Sequence, residues 1–366
     1  MWKANQEITK RQLLPTQEFQ DPTKRFAVLK INGRYVNPFE EYRHQTVFEF
    51  AFCRIRELFA PHPRGCVPSN LDELRQLLPC TMPWKEVLDG SNVSGVPPSS
   101  KRLTLTWIGQ SCALVQLPGK INVLTDPMFS SSVVSPNVGP QRLLPTPCTL
   151  DDLPKPEVVL VSHDHPDHLD LEAAKKIGND VKWIIPDGVG KHLRAVGITN
   201  YQEMTWWQST PLPGVDPELG YEVACTPAMH WSGRTLIDAD QTLWCSFLVL
   251  RHGKPLFFHG GDTGYSQPLF DGIQQVYGSG CTVAMVPCGA YTPRWHLQSQ
   301  HMNPEEAIKV ARHVGAKNAV GVHWGTFVMS DEPFLEPPAR FTAAGKEAGI
   351  NSVAPKFGET LVYKID

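Results

Sequence analysis

Side chains of the metal-binding type crowd the loop that follows one apolar segment of this chain. The segment EVVLVS is followed directly by HDHPDH (163–168), which places these side chains at the carboxyl end of a buried strand. His163 and His165, two residues apart in an extended segment, project to the same side and can chelate one ion. Asp167 and His168 lie on the turn that follows, point elsewhere and can hold a second ion nearby. We therefore expect a metal site, and a fold that carries its ligands on strand ends.

Three more candidate ligands occur in the same kind of place. His230 follows YEVACTPAM, Asp262 follows PLFFHGG, and His323 ends NAVGV. By spacing alone His230 has an equally good alternative, because a lone histidine is often a satisfied core residue. The two glycines before Asp262 let the backbone approach closely, and Gly264 after it permits a tight turn. With the first four residues these make the ligand set that two zinc ions require if one carboxylate bridges them.

Apolar runs alternate with helix-like segments along most of the chain. CALVQL and INVLTDP, separated by Pro118 and Gly119, predict a hairpin, and the alternation in RLTLTWIG predicts a half-buried strand. LEAAKKIG and VGKHLRAVG are helix-like, and NPEEAIKVARHVG begins with a helix start signal. Strands mixed with helices, first in hairpins and then with crossovers, indicate an α/β fold of two sheets covered by helices.

The first hundred residues differ from the rest. Residues 1–40 are polar and turn-rich and are expected to be irregular, 41–100 to form a helical extension and linker, and 101–366 to form the main domain. An amphipathic, Phe-rich helix is predicted over 47–59, which either packs on the protein's own core or faces lipid. A second helix is predicted over 70–78.

Composition excludes several classes of protein. The formal charge is −3, from 34 basic and 37 acidic residues, so no electrostatic field argues for a nucleic-acid partner. An apolar content of 41% argues against disorder. Nine cysteines without a CxxC pair favour a reducing compartment. The amino terminus lacks the apolar core of a secretory signal, and no run reaches the ~18 apolar residues of a membrane span. We therefore expect an intracellular protein, soluble or peripheral to a membrane.

The motifs together resemble the metallo-β-lactamase superfamily, an αββα sandwich with a dinuclear metal site at the sheet edge. The HxHxDH run identifies only the superfamily. GAYTPRW followed by QHMNPEEA, then HWGTF and LEPP, resembles more specifically the N-acylphosphatidylethanolamine-hydrolysing phospholipase D family. This resemblance runs from about residue 33 through nearly the whole remainder, and it includes LTDPMFS, GPQRLLPTPCTLDDLP and GGDTGY.

The resemblance implies a role for each candidate residue. It places one zinc ion on His163, His165 and His230, and the other on Asp167, His168 and His323. Asp262 would bridge the two ions, and Asp167, Asp262 and His301 would be the catalytic residues. Gln300 and His301 match residues at the mouth of the family's site, with His301 against the scissile phosphate or, alternatively, a surface histidine before a helix. Arg294 would face lipid phosphates or form a structural ion pair.

The activity that the resemblance implies is hydrolysis of N-acylphosphatidylethanolamine to N-acylethanolamine and phosphatidic acid, through a hydroxide held between two zinc ions. The implied partners are a membrane phospholipid and a second copy of the chain, on the cytoplasmic face of an internal membrane or at the mitochondrion. An apolar approach surface would come from the helix over 47–59. Met128, Phe129, Val133 and Val134, on the loop after LTDP, would either extend this surface or simply pack within the loop. Trp206 and Trp207 are expected in the core.

One departure and several alternatives remain. The family usually has W-L-G-H-A/S where this chain has WIGQS (107–111), so Gln110 replaces a histidine just outside the ligands. The main alternative function is a soluble lactonase or phosphoester hydrolase of the same fold. A non-catalytic lipid-binding module would have lost ligands, and a di-iron relative would carry glutamate in place of His165. The nucleic-acid enzymes of the superfamily are disfavoured by the charge.

Overall fold

Two seven-stranded sheets lie face to face in the part of the chain that the structure describes. The structure is a computed structural model that describes residues 20–46, 48–49, 52–53, 55, 64–136, 138–235 and 237–365. Its strands, in chain order, are β1 (Leu29–Ile31), β2 (Arg34–Val36), β3 (Arg102–Gly109), β4 (Cys112–Leu117), β5 (Ile121–Thr125), β6 (Val158–Leu160), β7 (Lys182–Pro186), β8 (Tyr201–Met204), β9 (Ser209–Pro211), β10 (Tyr221–Thr226), β11 (Ser246–Arg251), β12 (Lys254–His259), β13 (Val283–Pro287), β14 (Asn318–Val322), β15 (Asn351–Val353) and β16 (Thr360–Lys364).

The two sheets share one plan. The first has the order β16-β3-β4-β5-β6-β7-β8, antiparallel as far as β5 and parallel from β5 to β8. The second has the order β15-β14-β13-β12-β11-β10-β9, parallel from β15 to β12 and antiparallel beyond. The predicted hairpin is β4–β5. Because the parallel strands of each sheet end at the same edge, the loops after them meet there.

Helices cover the outer faces of both sheets. They are α1 (Pro22–Arg25), α2 (Leu71–Leu77), α3 (Lys85–Leu88), α4 (Leu171–Ile177), α5 (Gly190–Ala195), α6 (Gln267–Tyr277), α7 (Arg294–Leu297), α8 (Pro304–His313) and α9 (Glu336–Ala348). Ala174 of α4 and Leu193 of α5 pack with Trp183 on the first sheet. Phe270 of α6 and Ile308 of α8 belong to the larger core. The result is the predicted α/β sandwich with helices on both sides.

The predicted starts of two helices are confirmed. The Asn303 side chain accepts from the Glu306 N–H at 2.9 Å, and the Glu306 carboxylate accepts from the Asn303 N–H at 3.0 Å. This reciprocal pair satisfies donors that the first turn of a helix leaves open, and it fixes the start of α8. The Asn70 side chain caps α2 by accepting from the N–H of Asp72 at 2.9 Å, without a reciprocal bond.

The expectation that β3 is half-buried is wrong, since all eight of its residues are buried. Thr104 donates to the side chain of Gln116 on β4, and Thr106 shares a hydrogen bond with Thr360 on β16. Gln116 in turn donates to the carbonyl oxygen of Leu88. The helical extension therefore covers the face that the threonines would otherwise show to water.

The amino-terminal segment is more ordered than expected, because α1 and the hairpin β1–β2 lie within 20–40. Residues 1–19, and several positions of the helix predicted over 47–59, lie outside the described residues. Phe48, Phe52 and Ile55 are helical and are 86%, 54% and 55% exposed. The lipid-facing alternative for this segment therefore stays open, and the domain boundaries stay predictions.

The prediction for the two tryptophans is confirmed, whereas the residues of the loop after β5 differ in their exposure. Trp206 is buried and Trp207 packs against the same core, as predicted. On the loop after β5, Val134 is 63% exposed, but Met128 is buried beneath it in the core of the first sheet. Of the two alternatives for Met128, packing within the fold is therefore the correct one, and contact with lipid is wrong. Within the described residues, the helices are all too short or too polar to span a bilayer.

Candidate metal centre

The loops after four strands bring all seven predicted ligands to one edge of the sandwich. His163, His165, Asp167 and His168 follow β6, His230 follows β10, Asp262 follows β12 and His323 follows β14. Every one of them is buried. The side chains form two clusters with ligand atoms close enough for one ion each, in the grouping that the resemblance implied.

The first cluster consists of three histidine nitrogens. His165 Nδ1 lies 2.8 Å from His163 Nε2 and 3.2 Å from His230 Nε2. His230 Nδ1 lies 3.0 Å from the carbonyl oxygen of Gln300, which can only accept. The proton of His230 therefore belongs on Nδ1, and Nε2 is left with a lone pair facing the other two rings.

The second cluster consists of Asp167, His168, Asp262 and His323. Asp262 Oδ2 lies 3.1 Å from His168 Nε2 and 3.2 Å from His323 Nε2. The same oxygen lies 3.8 Å from His230 Nε2 of the first cluster. Asp262 therefore stands between the clusters, where a bridging carboxylate would have to be.

The donor set fits a pair of divalent cations. Among the described residues, Asp262 Oδ1 is buried without a hydrogen-bond partner. Burial alone would raise the pKa of Asp167 and Asp262, but the charge of His168 outweighs it and holds both well below the usual range. Ionised carboxylates and imidazole nitrogens that converge in a buried place are the ligands that zinc and similar ions take.

Asp126, at the end of β5, supports the second cluster, and sequence analysis did not single it out. Its Oδ2 accepts from His168 Nδ1 and from His259 Nε2, each at 2.9 Å. Its Oδ1 accepts from the backbone N–H of Ser162 at 2.7 Å. Burial would raise the pKa of Asp126, but the charge of His259 and these hydrogen bonds lower it to about 2. This carboxylate holds the His168 ring with Nε2 facing the cluster.

His301 lies at the edge of both clusters. Its Nδ1 is 3.8 Å from Asp262 Oδ2, and its ring centre is 5.1 Å from that of His230. Burial lowers the pKa of His301 to about 4, against the opposing charge of Asp262, so the ring is neutral at pH 7. Its Nδ1 has no hydrogen-bond partner in the described structure.

The side chains of Gln300 and Arg294, the two other predicted substrate residues, are buried or paired within the protein. Gln300 is 4% exposed and acts on the cluster through its backbone carbonyl. The guanidinium of Arg294 binds both carboxylate oxygens of Glu306 at 2.8 Å and the carbonyl oxygen of His301 at 2.9 Å. The ion pair that was the alternative for Arg294 is therefore present, and a contact of Arg294 or Gln300 with substrate stays a prediction.

Gln110 lies closer to the ligands than its sequence position suggested. Its Nε2 is 2.7 Å from Asp167 Oδ2 and 2.7 Å from His323 Nε2. The side chain is 1% exposed. The replacement of the family's histidine by Gln110 therefore changes a side chain that directly contacts two members of the second cluster.

Comparisons with known proteins agree with this architecture. A family model described as a beta-lactamase superfamily domain matches residues 121–324. The mitochondrial N-acyl-phosphatidylethanolamine-hydrolyzing phospholipase D of Saccharomyces cerevisiae is 39% identical over 366 residues, covering 93% of this chain and 77% of that protein. The N-acyl-phosphatidylethanolamine-hydrolyzing phospholipase D 1 of Caenorhabditis elegans is 35% identical over 280 residues, covering 73% of this chain and 75% of that protein.

Solved structures agree on the fold. Igni18, a metallo hydrolase from the archaeon Ignicoccus hospitalis, superposes with a TM-score of 0.56 at 23% identity, covering 72% of this chain and 100% of that one. At this identity the likeness concerns the fold alone.

Proposed function

Because this chain belongs to the N-acylphosphatidylethanolamine-hydrolysing phospholipase D family of the metallo-β-lactamase superfamily, we propose that it hydrolyses N-acylphosphatidylethanolamine to phosphatidic acid and an N-acylethanolamine. The observation that carries this proposal is the pair of buried clusters with Asp262 between them. Two adjacent positions for cations suit in-line displacement at a phosphodiester, where both the attacking and the leaving oxygen need stabilisation.

The proposed cations are two zinc ions. Support comes from the three imidazole nitrogens of the first cluster, since sites rich in imidazole suit zinc. His163, His165 and His230 would hold one ion, and Asp167, His168 and His323 the other. When bound, such a pair activates water at neutral pH and neutralises charge on the phosphate.

The chain's own groups then orient the reaction. Water oxygen adds to phosphorus, the bond from phosphorus to the ethanolamide oxygen breaks, and the leaving oxygen takes up a proton. Asp262 Oδ1, buried without a hydrogen-bond partner, is placed to accept a hydrogen bond from the attacking water. His301 is neutral and its Nδ1 is unengaged, so its ring can donate to a phosphate oxygen without adding another cation.

A lipid substrate needs an apolar surface beside the site. Arg43, which precedes Phe48 and Phe52 in the chain, contacts the segment before His301, since Ser299 Oγ donates to its carbonyl oxygen at 3.0 Å. The ring of Phe52 lies 6.3 Å from that of Trp295, which is 41% exposed. Exposed aromatic side chains grouped in this way suit the interface of a bilayer.

We extend the proposal to location and assembly. The chain would work as a peripheral protein on an internal membrane, and the name of the yeast relative, which is mitochondrial, supports that choice for a first test. The homodimer implied by the resemblance is likewise a proposal. Light scattering on the purified protein gives its mass in solution and decides between one copy of the chain and two.

The test of the activity uses purified full-length protein with its metal content quantified. Vesicles that contain N-acylphosphatidylethanolamine are incubated with wild type, Asp167→Asn and His168→Ala, and both products are followed by mass spectrometry. As a matched control, His313→Gln alters a histidine that is paired with Asp271 and Tyr265 away from the clusters. We expect equal amounts of the two products from wild type and from the control, and neither from the cluster variants.

The same assay also tests the alternative, soluble substrates. Soluble phosphodiesters and lactones are supplied under the same conditions as the vesicles. Metal-dependent turnover of these compounds, with no product from the lipid, would contradict the proposal and assign the site to a soluble substrate.

A further inference from the structure

Gln110 is held in a conformation that a residue other than glycine rarely adopts. Its φ is 52°, in the left-handed region that is sterically unfavourable for residues with a side chain. Its N–H donates to Thr326 Oγ1 at 2.6 Å, and its carbonyl oxygen accepts from Trp107 Nε1 at 2.9 Å and from the His323 N–H at 3.1 Å. The surrounding structure therefore over-determines this strained backbone, as it does at functional positions.

The strained backbone directs the side chain into the second cluster. The end of the amide lies 2.7 Å from Asp167 Oδ2 and 2.7 Å from His323 Nε2. These two atoms are ligands for one and the same ion in the proposed metal centre. Asp167 Oδ2 and His323 Nε2 are 3.4 Å apart, a separation close to that of His168 Nε2 from the same oxygen, 3.5 Å. Gln110 thus touches two neighbouring ligands of a single cation position.

The two ends of a glutamine amide have nearly the same shape, and their surroundings decide which end faces which way. When Nε2 faces the cluster, one of its hydrogens points at Asp167 Oδ2 and the other at His323 Nε2. The second hydrogen has an acceptor only while the lone pair of His323 Nε2 is free. A cation in the cluster takes that lone pair, and its charge disfavours N–H groups that point at it. The carbonyl end of the amide has the opposite preference, because oxygen is attracted to the cation.

We propose that Gln110 is a further ligand of the second metal position, through Oε1, after a half-turn of its amide about the last side-chain bond. The position then has an oxygen from Gln110 beside the two carboxylates and two imidazoles. This inference rests on the metal centre of the proposed function and adds a ligand to it. The first cluster, with three imidazoles, gains nothing from Gln110, so the two positions differ in coordination number.

The two ends of the amide are distinguished by a pair of substitutions. In Gln110→Glu a carboxylate oxygen faces the cluster whichever way the last side-chain bond is turned. In Gln110→Leu the group has a similar size but has no donor and no acceptor. Gln116→Leu is the matched control, since Gln116 is also a buried glutamine of the first sheet, and its partners, Thr104, Asn122 and the Leu88 carbonyl, lie outside the clusters.

The readout is binding of Co²⁺ to the metal-free full-length protein, followed by calorimetry and visible absorption. Four-coordinate Co²⁺ absorbs much more strongly than five-coordinate Co²⁺, so the spectrum reports the number of ligands without any turnover. For the second equivalent of Co²⁺ in wild type we expect the weak absorption of a five-coordinate ion. In Gln110→Leu we expect about 10–100-fold weaker binding of that equivalent and stronger absorption per ion. Gln110→Glu should bind it at least as tightly as wild type, and Gln116→Leu should match wild type.

The contrary results are distinct. If Gln110→Glu binds the second Co²⁺ more weakly than Gln110→Leu, the amide acts only as a donor to Asp167 and the inference is wrong. Unchanged affinity and spectrum in Gln110→Leu would overturn it too. Wild type that binds no second Co²⁺ would overturn both the inference and the dinuclear centre beneath it. Should Gln110→Leu fail to fold, the comparison of Gln110→Glu with wild type still decides which end of the amide faces the ion.

Discussion

Asp126→Asn is the perturbation that most sharply tests how the second cluster is held. The Asp126 carboxylate is fully buried and accepts from the Ser162 N–H, the Ser162 hydroxyl, His168 Nδ1 and His259 Nε2. An asparagine has one oxygen to offer in place of two. Whichever way its amide turns, its NH₂ group meets at least one donor, and a hydrogen bond is lost.

The expected cost follows from two independent quantities. A hydrogen bond to a charged group contributes about 1.5–3 kcal/mol, and Asp126→Asn loses at least one. The pKa of Asp126, lowered from 3.8 to about 2, corresponds to about 2.5 kcal/mol of preferential stabilisation of the charged form. Because the pKa is lower in the folded state, this contribution is complete above about pH 4 and disappears as the pH falls through 2. We expect the variant to lose about 2–3 kcal/mol of stability at pH 7.

The assay compares Asp126→Asn with Asp170→Asn. Asp170 is also a buried carboxylate, and it accepts from the backbone N–H groups of Phe129, Ser130, Glu172 and Ala173 rather than from a cluster residue. Urea unfolding gives the loss of stability, and calorimetry gives the affinity for the second metal equivalent. Both variants should be destabilised, but only Asp126→Asn should bind that metal about 10–100-fold more weakly. Equal metal affinities in the two variants would refute the role assigned to Asp126.

Three further predictions concern the metals, the surface and pH. Removing metal with a chelator should lower the Tm by about 5–10 °C, because the buried nitrogens and carboxylates of the clusters lose the cations between them. Added Zn²⁺ should restore the Tm, and a Tm that does not change on chelation would argue against a metal centre. Phe52→Asp should reduce the fraction of protein that sediments with anionic vesicles several-fold, whereas Val276→Asp, at an exposed apolar residue of α6, should not. Equal effects of the two substitutions would contradict the proposal that the surface around Phe52 binds the membrane. Burial raises the pKa of Asp240 to about 6, so the folded protein holds this proton more tightly than the unfolded chain does, and stability falls as the pH rises from about 4 to 6. In Asp240→Asn that fall, about 2–3 kcal/mol, should be absent from unfolding curves measured across this range, and parallel pH profiles would contradict the assignment.

Most members of the two clusters could be predicted from local sequence signals, whereas His230 and the division into two clusters were implied only by the resemblance. His163, Asp262 and His323 come directly after apolar runs, and strand ends of one sandwich meet at one edge. Asp126 follows an apolar run as well, but its role depends on His168 and His259, which are 42 and 133 residues away along the chain. A window of sequence contains no information about such partners.

Burial was harder to predict than the elements themselves. The threonines of β3 alternate with apolar residues as in a strand with one face in water, yet β16 and the helical extension cover that face. Met128 lies in a loop with exposed neighbours, but it packs beneath the loop on the first sheet. In both cases burial depends on contacts with residues from other segments of the chain, and the spacing of apolar residues along the sequence does not reveal such contacts.

The central claim, that the two clusters cleave a phosphodiester by attack of water at phosphorus, is tested most directly by hydrolysis in water enriched in ¹⁸O. N-acylphosphatidylethanolamine vesicles are treated with the metal-loaded full-length protein, and both products are analysed by mass spectrometry. Attack at phosphorus predicts one ¹⁸O in each phosphatidic acid molecule and none in the N-acylethanolamine. Label in the N-acylethanolamine, or diacylglycerol in place of phosphatidic acid, would contradict the account.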